Sequence, residues 1–365
     1  MSGRVEARQS MRRSTNRGLL SHAAGAWRRL SRLSRGSMPL VAGAALVAAS
    51  GTGLIAQAAL APGVQRHIDA ARKAAGVEHA AMVDRLCPVA PPAPTAPAAS
   101  GAGRQGGGPP SPPPRASWYA EPAKVFDNLF FVGMTGLAAW AIPTSEGLIV
   151  IDPVFDYSVE ASVVEGLTKL GLDPALIKYV LISHGHGDHA GGARLLQSRY
   201  GARVLMAAAD WELLEQQNPP WLPKRDMTVT DGQSLTLGDT TITMYLTPGH
   251  TDGTVSTFIP VRDGEARHVA FLWGGTLFNF GPDGVRFEAY ANAAARMRTV
   301  VSMRGADVLL SNHTGYDGTR TKLPALQGRR AGQRHPFVVG TGSLDAFLNV
   351  ANECAQAALA TLPAR

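Results

Sequence analysis

The stretch "SHGHGDHAGG", residues 183–192, places three histidines and one aspartate within six positions, with glycine between them. Side chains packed so densely would repel one another if all were charged, and they contribute little to a hydrophobic core. Imidazole and carboxylate groups are, however, common ligands of divalent metals. The spacing H-x-H-x-D-H directly after an apolar run therefore predicts a metal-binding loop.

Two further histidines stand at the end of an apolar run that has the length of a β-strand. The three runs read "YVLISHGHGDH", "TMYLTPGH" and "DVLLSNH", and short apolar runs of this kind are typical of buried strands. Sites in α/β proteins form beyond the carboxyl ends of strands, so three such ends side by side would bring six ligands together. The candidate metal ligands are His184, His186, Asp188, His189, His250 and His313.

Six nitrogen and oxygen ligands are too many for one catalytic zinc, which commonly keeps three protein ligands, but they suit two ions. The first two histidines of the loop lie two positions apart and point the same way in an extended chain, whereas Gly187 eases a turn after them. The aspartate and the third histidine can then face a second ion, and His250 and His313 would complete one set each. The absence of cysteine from the set favours zinc, although iron and manganese are chemically possible.

The positive charge of the chain is confined to its N-terminal segment. Nine arginines and one acid fall within the first 38 residues, a net charge of +8, whereas the whole chain carries +7. The remainder is therefore close to neutral, and an enzyme that binds polyanions carries its charge on the folded domain itself. The sequence predicts no nucleic-acid partner.

An uncharged segment, residues 39–60, follows the arginines, and Ala56-Gln57-Ala58 has the A-x-A pattern of a signal-peptide cleavage site. Residues 1–58 are therefore interpreted as a basic segment with an export signal, which predicts a periplasmic or secreted protein. The alternative is an uncleaved membrane anchor, because about 20 apolar residues can span a bilayer. The membrane would be a partner only through this segment.

Three further segments follow the proposed signal. Residues 59–86 predict a short helical segment, residues 87–117 a linker rich in Pro, Ala and Gly that buries too little surface to fold, and residues 118–365 the compact domain. Four apolar positions of the first segment recur at helical spacing; they are Val64, Ile68, Ala71 and Ala75.

The chain contains two cysteines, Cys87 and Cys354, and neither lies in a C-x-x-C pair or beside the histidine cluster. In an exported protein they could form one disulfide between the region before the linker and the C-terminal helix. Two unrelated free thiols are the alternative.

Short apolar strands alternate with helices from residue 118 onward, without a sequence repeat, which predicts a layered α/β sandwich. The motif H-x-H-x-D-H followed by "AGG", then "TPGHT" and a later strand-ending histidine, resembles the metallo-β-lactamase superfamily over roughly residues 118–360. The resemblance implies a four-layer αββα sandwich with a dinuclear site at the strand ends. Two sets of ligands are implied: His184, His186 and His250 for the first zinc, and Asp188, His189 and His313 for the second.

The strand end "FLWGGTLF" separates the branches of this superfamily. Glyoxalase II-like hydrolases and lactonases usually carry "GDTLF", whose aspartate bridges the two metals, whereas Gly275 stands at that position here. The six ligands without cysteine, the export signal and "LSNHTGYDG" around His313 resemble subclass B3 β-lactamases. Those enzymes commonly have serines after this strand that help to hold the substrate carboxylate, whereas only Thr276 offers a hydroxyl here.

The sequence thus predicts an exported dizinc hydrolase that opens the amide of β-lactam rings, a small-molecule substrate, and thereby confers antibiotic resistance. A hydroxide shared by two zinc ions would attack the lactam carbonyl, and Asp188 would bind metal and orient the water. Trp221, Thr276 and Tyr316 are candidate substrate contacts, and Asp152 in "IDP" is a candidate partner of a metal-binding histidine. The alternative is a hydrolase of the same fold that acts on a lactone, ester or thioester.

Overall fold

A computed structural model describes residues 60–87, 111–330 and 332–363. The proposed export signal or anchor and most of the predicted linker lie outside the described residues. Within those three ranges, no helix combines the length and the apolar character needed to cross a bilayer. The domain boundaries at residues 58, 86 and 117 stay predictions.

Seven strands form the first sheet, in which each strand neighbours the next in chain order. Their bounds are β1 Ala123–Phe126, β2 Leu129–Phe131, β3 Trp140–Thr144, β4 Gly147–Ile151, β5 Ile177–Leu181, β6 Arg203–Ala207 and β7 Met227–Val229. Strands β1 to β4 pair antiparallel, and β4 to β7 pair parallel. The parallel half follows from the helical crossovers between its strands.

Five strands form the second sheet, in the order β12-β11-β10-β9-β8. Their bounds are β8 Ser234–Leu237, β9 Thr240–Leu246, β10 Val255–Asp263, β11 Ala266–Trp273 and β12 Val308–Ser311. The pairs are antiparallel except that of β11 with β12, which is parallel because a long helix connects the two strands.

Nine α-helices accompany the sheets in the described part of the chain. They are α1 Pro62–Ala75, α2 Ala80–Leu86, α3 Glu165–Lys169, α4 Gly187–Ala190, α5 Ala193–Tyr200, α6 Ala208–Gln217, α7 Gly284–Arg304, α8 Thr319–Gln327 and α9 Thr341–Leu359. A π-helical turn over Glu160–Val164 leads into α3.

Strands such as β4, β10 and β12 are largely buried on both faces, and successive residues pack into different layers. In β5, Val180 packs with α5 and α6 on the outer face of the first sheet, whereas Leu181 packs between the two sheets. In β11, Leu272 packs between the sheets, whereas Phe271 packs against α7 and α9 on the outer face of the second sheet. Because side chains alternate along a strand, these apolar runs produce three cores. The predicted four-layer αββα sandwich is confirmed.

The helical segment at residues 59–86 covers the second sheet's outer helices. Its four periodic apolar residues are all buried as expected, and they pack with Phe347 and Leu348 of α9. The helix is interrupted at Gly76, whose φ of 52° ends α1, so the segment forms two helices. Cys87, directly after α2, forms a disulfide with Cys354 of α9.

We expect replacement of both Cys87 and Cys354 by alanine to lower the free energy of unfolding by about 5 kcal/mol, because the disulfide closes a very long loop in the unfolded chain. Denaturant titration of the oxidised protein, the reduced protein and the double variant measures the effect. The reduced protein and the variant should agree; equal midpoints for all three would contradict the prediction.

Candidate metal centre

The six predicted ligands lie in three loops, each of which follows the carboxyl end of a strand. The loop after β5 belongs to the first sheet, whereas the loops after β9 and β12 belong to the second. The three strand ends meet as expected, although they belong to two sheets, so the site joins the edges of both. Backbone bonds hold that junction: Val255 N donates to Ser183 O (2.7 Å), and Ala138 N to Asn312 O (2.9 Å).

The first three histidines converge on one point. His250 Nε2 lies 3.1 Å from His184 Nε2 and 3.1 Å from His186 Nδ1. His184 and His250 are almost completely buried, and His186 is half-buried at the N-terminal end of α4. The structure thus brings together the three residues that the sequence assigned to one ion.

The other three ligands converge on a second point. The carboxylate oxygen Oδ2 of Asp188 lies 3.2 Å from His189 Nε2 and 3.7 Å from His313 Nε2. The two imidazole nitrogens are 3.3 Å apart. His189 is fully buried, whereas the other two side chains are about a quarter exposed. This group faces solvent on the side of Asp188 and His313.

The two groups adjoin. The rings of His184 and His189, one from each group, have their centroids 4.2 Å apart. Ligand atoms of His184, Asp188 and His189 also lie within 4.8 Å of one another. The arrangement therefore offers two neighbouring cation positions rather than two separate sites.

Burial keeps the first group neutral. It lowers the pKa of His184 well below its ordinary value and that of His250 to about 3, and the neighbouring histidines lower both further. The unprotonated Nε2 of His250, 3.1 Å from a nitrogen of each of the other two histidines, is repelled by them unless a cation lies between them. The donor set fits a zinc-type ion, since neutral imidazole is the form that binds metal.

The second group carries opposite charges. Burial alone would raise the pKa of Asp188, but the positive charge of His189 and its hydrogen bond lower it. Burial alone would lower the pKa of His189, but Asp188 and Asp152 raise it to about 10. Two carboxylates therefore stabilise a positive charge at His189, and a bound cation would occupy the same favourable field.

Backbone carbonyls orient two of the rings. Nδ1 of His184 donates to Gly274 O (2.8 Å), and Nδ1 of His250 donates to Leu277 O (2.6 Å). A carbonyl oxygen can only accept, so both rings carry their proton on Nδ1. The lone pairs on Nε2 consequently point into the site, as in metal-binding histidines generally.

Asp152 lies behind the second group, as the sequence suggested for a partner of a metal-binding histidine. Its backbone is left-handed, with φ of 55°. Its carboxylate accepts hydrogen bonds from Ser183 N (2.7 Å) and Ser183 Oγ (2.6 Å). Nδ1 of His189 lies 3.1 Å from Asp152 Oδ2, an ion-pair contact, and makes no hydrogen bond among the described residues. Asp152 thus fixes both the loop and the ring.

Three residues that support the loops were not recognised from the sequence. Asn312 Nδ2 donates to Gly274 O (2.6 Å) and to Ser183 Oγ (3.1 Å), and Arg286 donates to Gly249 O and to His250 O. Asp210, on α6, is buried although it lies far from the motif in sequence. Of these, only Asn312 carried a signal, since it precedes His313 at a strand end.

Asp210 ties two ligand loops together. Its carboxylate accepts from Gly185 N (2.8 Å), from Thr251 Oγ1 (2.8 Å) and from Gly253 N (3.1 Å). Gly185 lies between two ligands of the first loop, and the other two donors follow His250. Burial raises the pKa of this carboxyl, although the three donors oppose that shift.

We expect Asp210→Ala to lower the free energy of unfolding by about 3 kcal/mol, because three buried donors lose their acceptor. Urea denaturation of the metal-free protein measures this. Glu160→Gln, which removes only an exposed ion pair with Arg199, should change the same quantity by less than about 1 kcal/mol. Equal midpoints for the two variants would contradict the role of Asp210.

Gly275 lies against the ring of His250. A Cβ at this position would be 2.6 Å from His250 Cβ and 2.7 Å from His250 Cγ. A side chain of any kind therefore requires His250 or the strand end to move. The aspartate of the "GDTLF" pattern would therefore clash with His250 at this position.

The three candidate substrate contacts differ in position. Trp221 is half-buried, and its ring lies 3.0 Å from where Gly187 would carry a Cβ. The ring of Tyr316 is 6.2 Å from that of His313. Thr276 is fully buried, so its hydroxyl does not reach the cleft surface and the prediction that it contacts substrate is not supported by its position.

Comparison with known proteins places this site in context. The model of the family described as "Metallo-beta-lactamase superfamily" matches residues 135–263. Among curated proteins, the hydroxyacylglutathione hydrolase of Acidiphilium cryptum is 30% identical over 176 residues, which are 48% of this chain and 63% of that protein. That of Mesorhizobium japonicum is 30% identical over 179 residues, covering 46% and 64%. The chain thus spans less than two thirds of these relatives.

Solved structures cover more of the fold. BJP-1, a subclass B3 metallo-β-lactamase of Bradyrhizobium japonicum, is 27% identical to this chain, with a TM-score of 0.57. The aligned part includes 64% of this chain and 92% of the BJP-1 chain. Native FEZ-1 metallo-β-lactamase from Legionella gormanii is 26% identical with the same TM-score, and covers 65% and 94%. Both the sequence and the structure therefore resemble one superfamily, through relatives with two different activities in their names.

Proposed function

We propose that this chain, whose catalytic domain belongs to the metallo-β-lactamase superfamily, is a dizinc hydrolase that opens the amide bond of β-lactam rings. The observation that carries the proposal is the pair of adjoining ligand groups at the junction of the two sheets. The first contains only histidine and the second adds one carboxylate. This donor set, without cysteine, suits two zinc ions.

Each ligand has a defined part in the proposed site. His184, His186 and His250 would hold one zinc, and Asp188, His189 and His313 the other. Bound zinc supplies a Lewis acid and a hydroxide source near neutral pH. Asp188 is the one carboxylate among the six ligands, and about a quarter of its side chain is exposed. It can therefore accept a hydrogen bond from a water molecule and hold that water toward the substrate carbonyl.

A second candidate is a hydrolase that acts on a thioester, ester or lactone. The names of the curated relatives favour it, since both are hydroxyacylglutathione hydrolases. The close approach of Gly275 to His250 favours the β-lactamase function instead, because it leaves no room for the bridging aspartate of glyoxalase II-like enzymes. The solved structures named above share the B3 or metallo-β-lactamase description.

We further propose that the protein is exported to the periplasm or secreted. The uncharged segment at residues 39–60 and the A-x-A pattern support this. The disulfide between Cys87 and Cys354 also supports it, because disulfides persist in oxidising compartments. Fractionation of cells that express the full chain tests the localisation.

Hydrolysis assays with purified protein test the activity. Nitrocefin, a carbapenem and a hydroxyacylglutathione thioester are offered separately, before and after treatment with a chelator, and metal content is measured by mass spectrometry. The lactamase proposal expects β-lactam turnover that the chelator abolishes and zinc restores, with about two zinc ions per chain. Turnover of the thioester alone would favour the second candidate, and chelator-resistant turnover would contradict both.

A further inference from the structure

We propose that Arg85, on the N-terminal helix α2, binds an anionic group of the substrate at the rim of the metal centre. The inference rests on the proposed hydrolase function and names the class of its substrate. It concerns a segment that precedes the residues matched by the family model. The proposal rests on the contact between helix α2 and the loop that follows β12.

The guanidinium of Arg85 lies directly on the loop that carries His313. A Cβ on Gly315 would be 2.7 Å from Arg85 Nη1, so the guanidinium lies directly against the backbone of this loop. Arg85 Cζ is 5.7 Å from the centroid of the Tyr316 ring. That ring is in turn 6.2 Å from the ring of His313. Tyr316 is therefore a common neighbour of the arginine and of one ligand of the second group.

This arginine has an unused charge. Its side chain is exposed, and it pairs with no acid in the ranges that the structure describes. Other arginines of the described residues are paired with an acid; Arg298 of α7, for example, contacts Asp345 at 2.7 Å. A planar guanidinium with free donors is well suited to carboxylate or phosphate.

The position of Arg85 is fixed by the fold rather than by a flexible tail. The neighbours Leu86 and Cys87 are buried against α9, and Cys87 is covalently joined to it. Holding the arginine in place reduces the entropy lost when it binds an anion. Thr276 is fully buried, so its hydroxyl does not supply this contact from the strand end.

Kinetics with paired substrates test the assignment. Benzylpenicillin carries a carboxylate and its methyl ester does not, while the lactam ring is the same. We expect Arg85→Gln to raise KM for benzylpenicillin about tenfold, the size of one lost charge-assisted contact, and to leave kcat within twofold. The methyl ester should be hydrolysed equally by the variant and the original protein, and Arg85→Lys should fall between them.

A matched control separates this effect from a general change in charge. Arg72→Gln removes an exposed arginine of α1, whose ion pair with a described residue is a 3.9 Å contact with Asp69, and it should leave the hydrolysis of both substrates unaffected. Equal changes for acid and ester in Arg85→Gln would mean a structural role and overturn the proposal, as would no change for either. Unaltered thermal unfolding of the variant excludes misfolding as the cause.

Failure of the β-lactamase assignment leaves this proposal testable. If the protein hydrolyses neither penicillin, the same variants are compared on 4-nitrophenyl hydrogen succinate and 4-nitrophenyl butyrate, which again differ by one carboxylate. A tenfold loss of preference for the succinate in Arg85→Gln supports the anion site on an esterase. No difference between the two esters, or no hydrolysis of either, overturns it.

Discussion

Replacing Asp188 with alanine is expected to lower kcat/KM for a β-lactam by about 10³-fold, because one side chain both binds metal and holds the attacking water. The carboxylate lies between His189 and His313, at 3.2 Å and 3.7 Å from their Nε2 atoms. It is also the exposed acid of the ligand set. No neighbouring residue of the set can replace it, since the others are imidazoles.

The fold should survive this change. His189 keeps its contact with Asp152 at 3.1 Å, so its buried ring retains one carboxylate partner. We therefore expect the free energy of unfolding of the metal-free protein to fall by no more than about 2 kcal/mol, within the common range for a single substitution. The loss of activity corresponds to about 4 kcal/mol of transition-state stabilisation.

Two variants sharpen the measurement. Asp188→Asn keeps the shape but loses the charge, and it should be nearly as inactive as Asp188→Ala. Glu212→Gln removes an exposed acid of α6 and should leave activity within twofold. Activity in Asp188→Ala equal to that of the original protein, at equal zinc content, would exclude the proposed role.

The metal ligands could be predicted from sequence because their signal is local. The run "IKYVLISH" is mostly apolar, as expected for a buried strand, and its residues Val180 and Leu181 pack into different cores. A dense set of imidazoles after such a strand has few uses other than binding metal. The three histidine-ending strands were therefore found, although their division between two sheets was not.

Features that depend on distant partners could not be predicted in this way. The periodicity of α1 showed that Val64 and Ile68 would be buried, but it could not identify α9 as the surface that covers them. The disulfide partners are 267 residues apart, and the presence of two cysteines in the sequence does not show whether they form a disulfide. Asp210 has the appearance of a surface residue in a helix, because its three donors belong to loops elsewhere in the chain.

The supporting contacts also explain why local strain is tolerated. Asp152 adopts a left-handed backbone conformation that is uncommon for residues other than glycine, and the sequence "IDP" does not predict it. The conformation is held by two bonds from Ser183 and by the contact with His189. A strained residue that points its carboxylate at a candidate ligand is the kind of feature that persists where function requires it.

Replacement of Gly275 is expected to have the second large effect. In Gly275→Ala, the new Cβ meets His250 Cβ at 2.6 Å and Cγ at 2.7 Å, and contacts under 3 Å force a neighbour to shift. His250 is held by Leu277 O on its other nitrogen, so the ring moves away from His184 and His186. A displacement of about 1 Å at a catalytic group costs about 10²-fold in rate.

We therefore expect Gly275→Ala to lower kcat/KM for a β-lactam about 10²-fold and to reduce zinc content below two ions per chain. Gly342→Ala is the matched control, because a Cβ on that helical glycine meets nothing within 4 Å. It should leave both quantities unchanged. Full activity in Gly275→Ala would show that the strand end yields easily, and the steric argument would then fail.

Gly275→Asp separates the two candidate functions more sharply. If the protein is a lactamase whose site depends on the free space at Gly275, the aspartate displaces His250 and activity falls at least as far as with alanine. If the strand end instead shifts so that the carboxylate reaches both ligand groups, the variant should keep two zinc ions and gain hydrolysis of a hydroxyacylglutathione thioester. Measuring zinc content and both substrates on the same preparation distinguishes these results, because displacement of His250 lowers zinc content and β-lactam hydrolysis, whereas a bridging aspartate retains both ions and adds thioester hydrolysis.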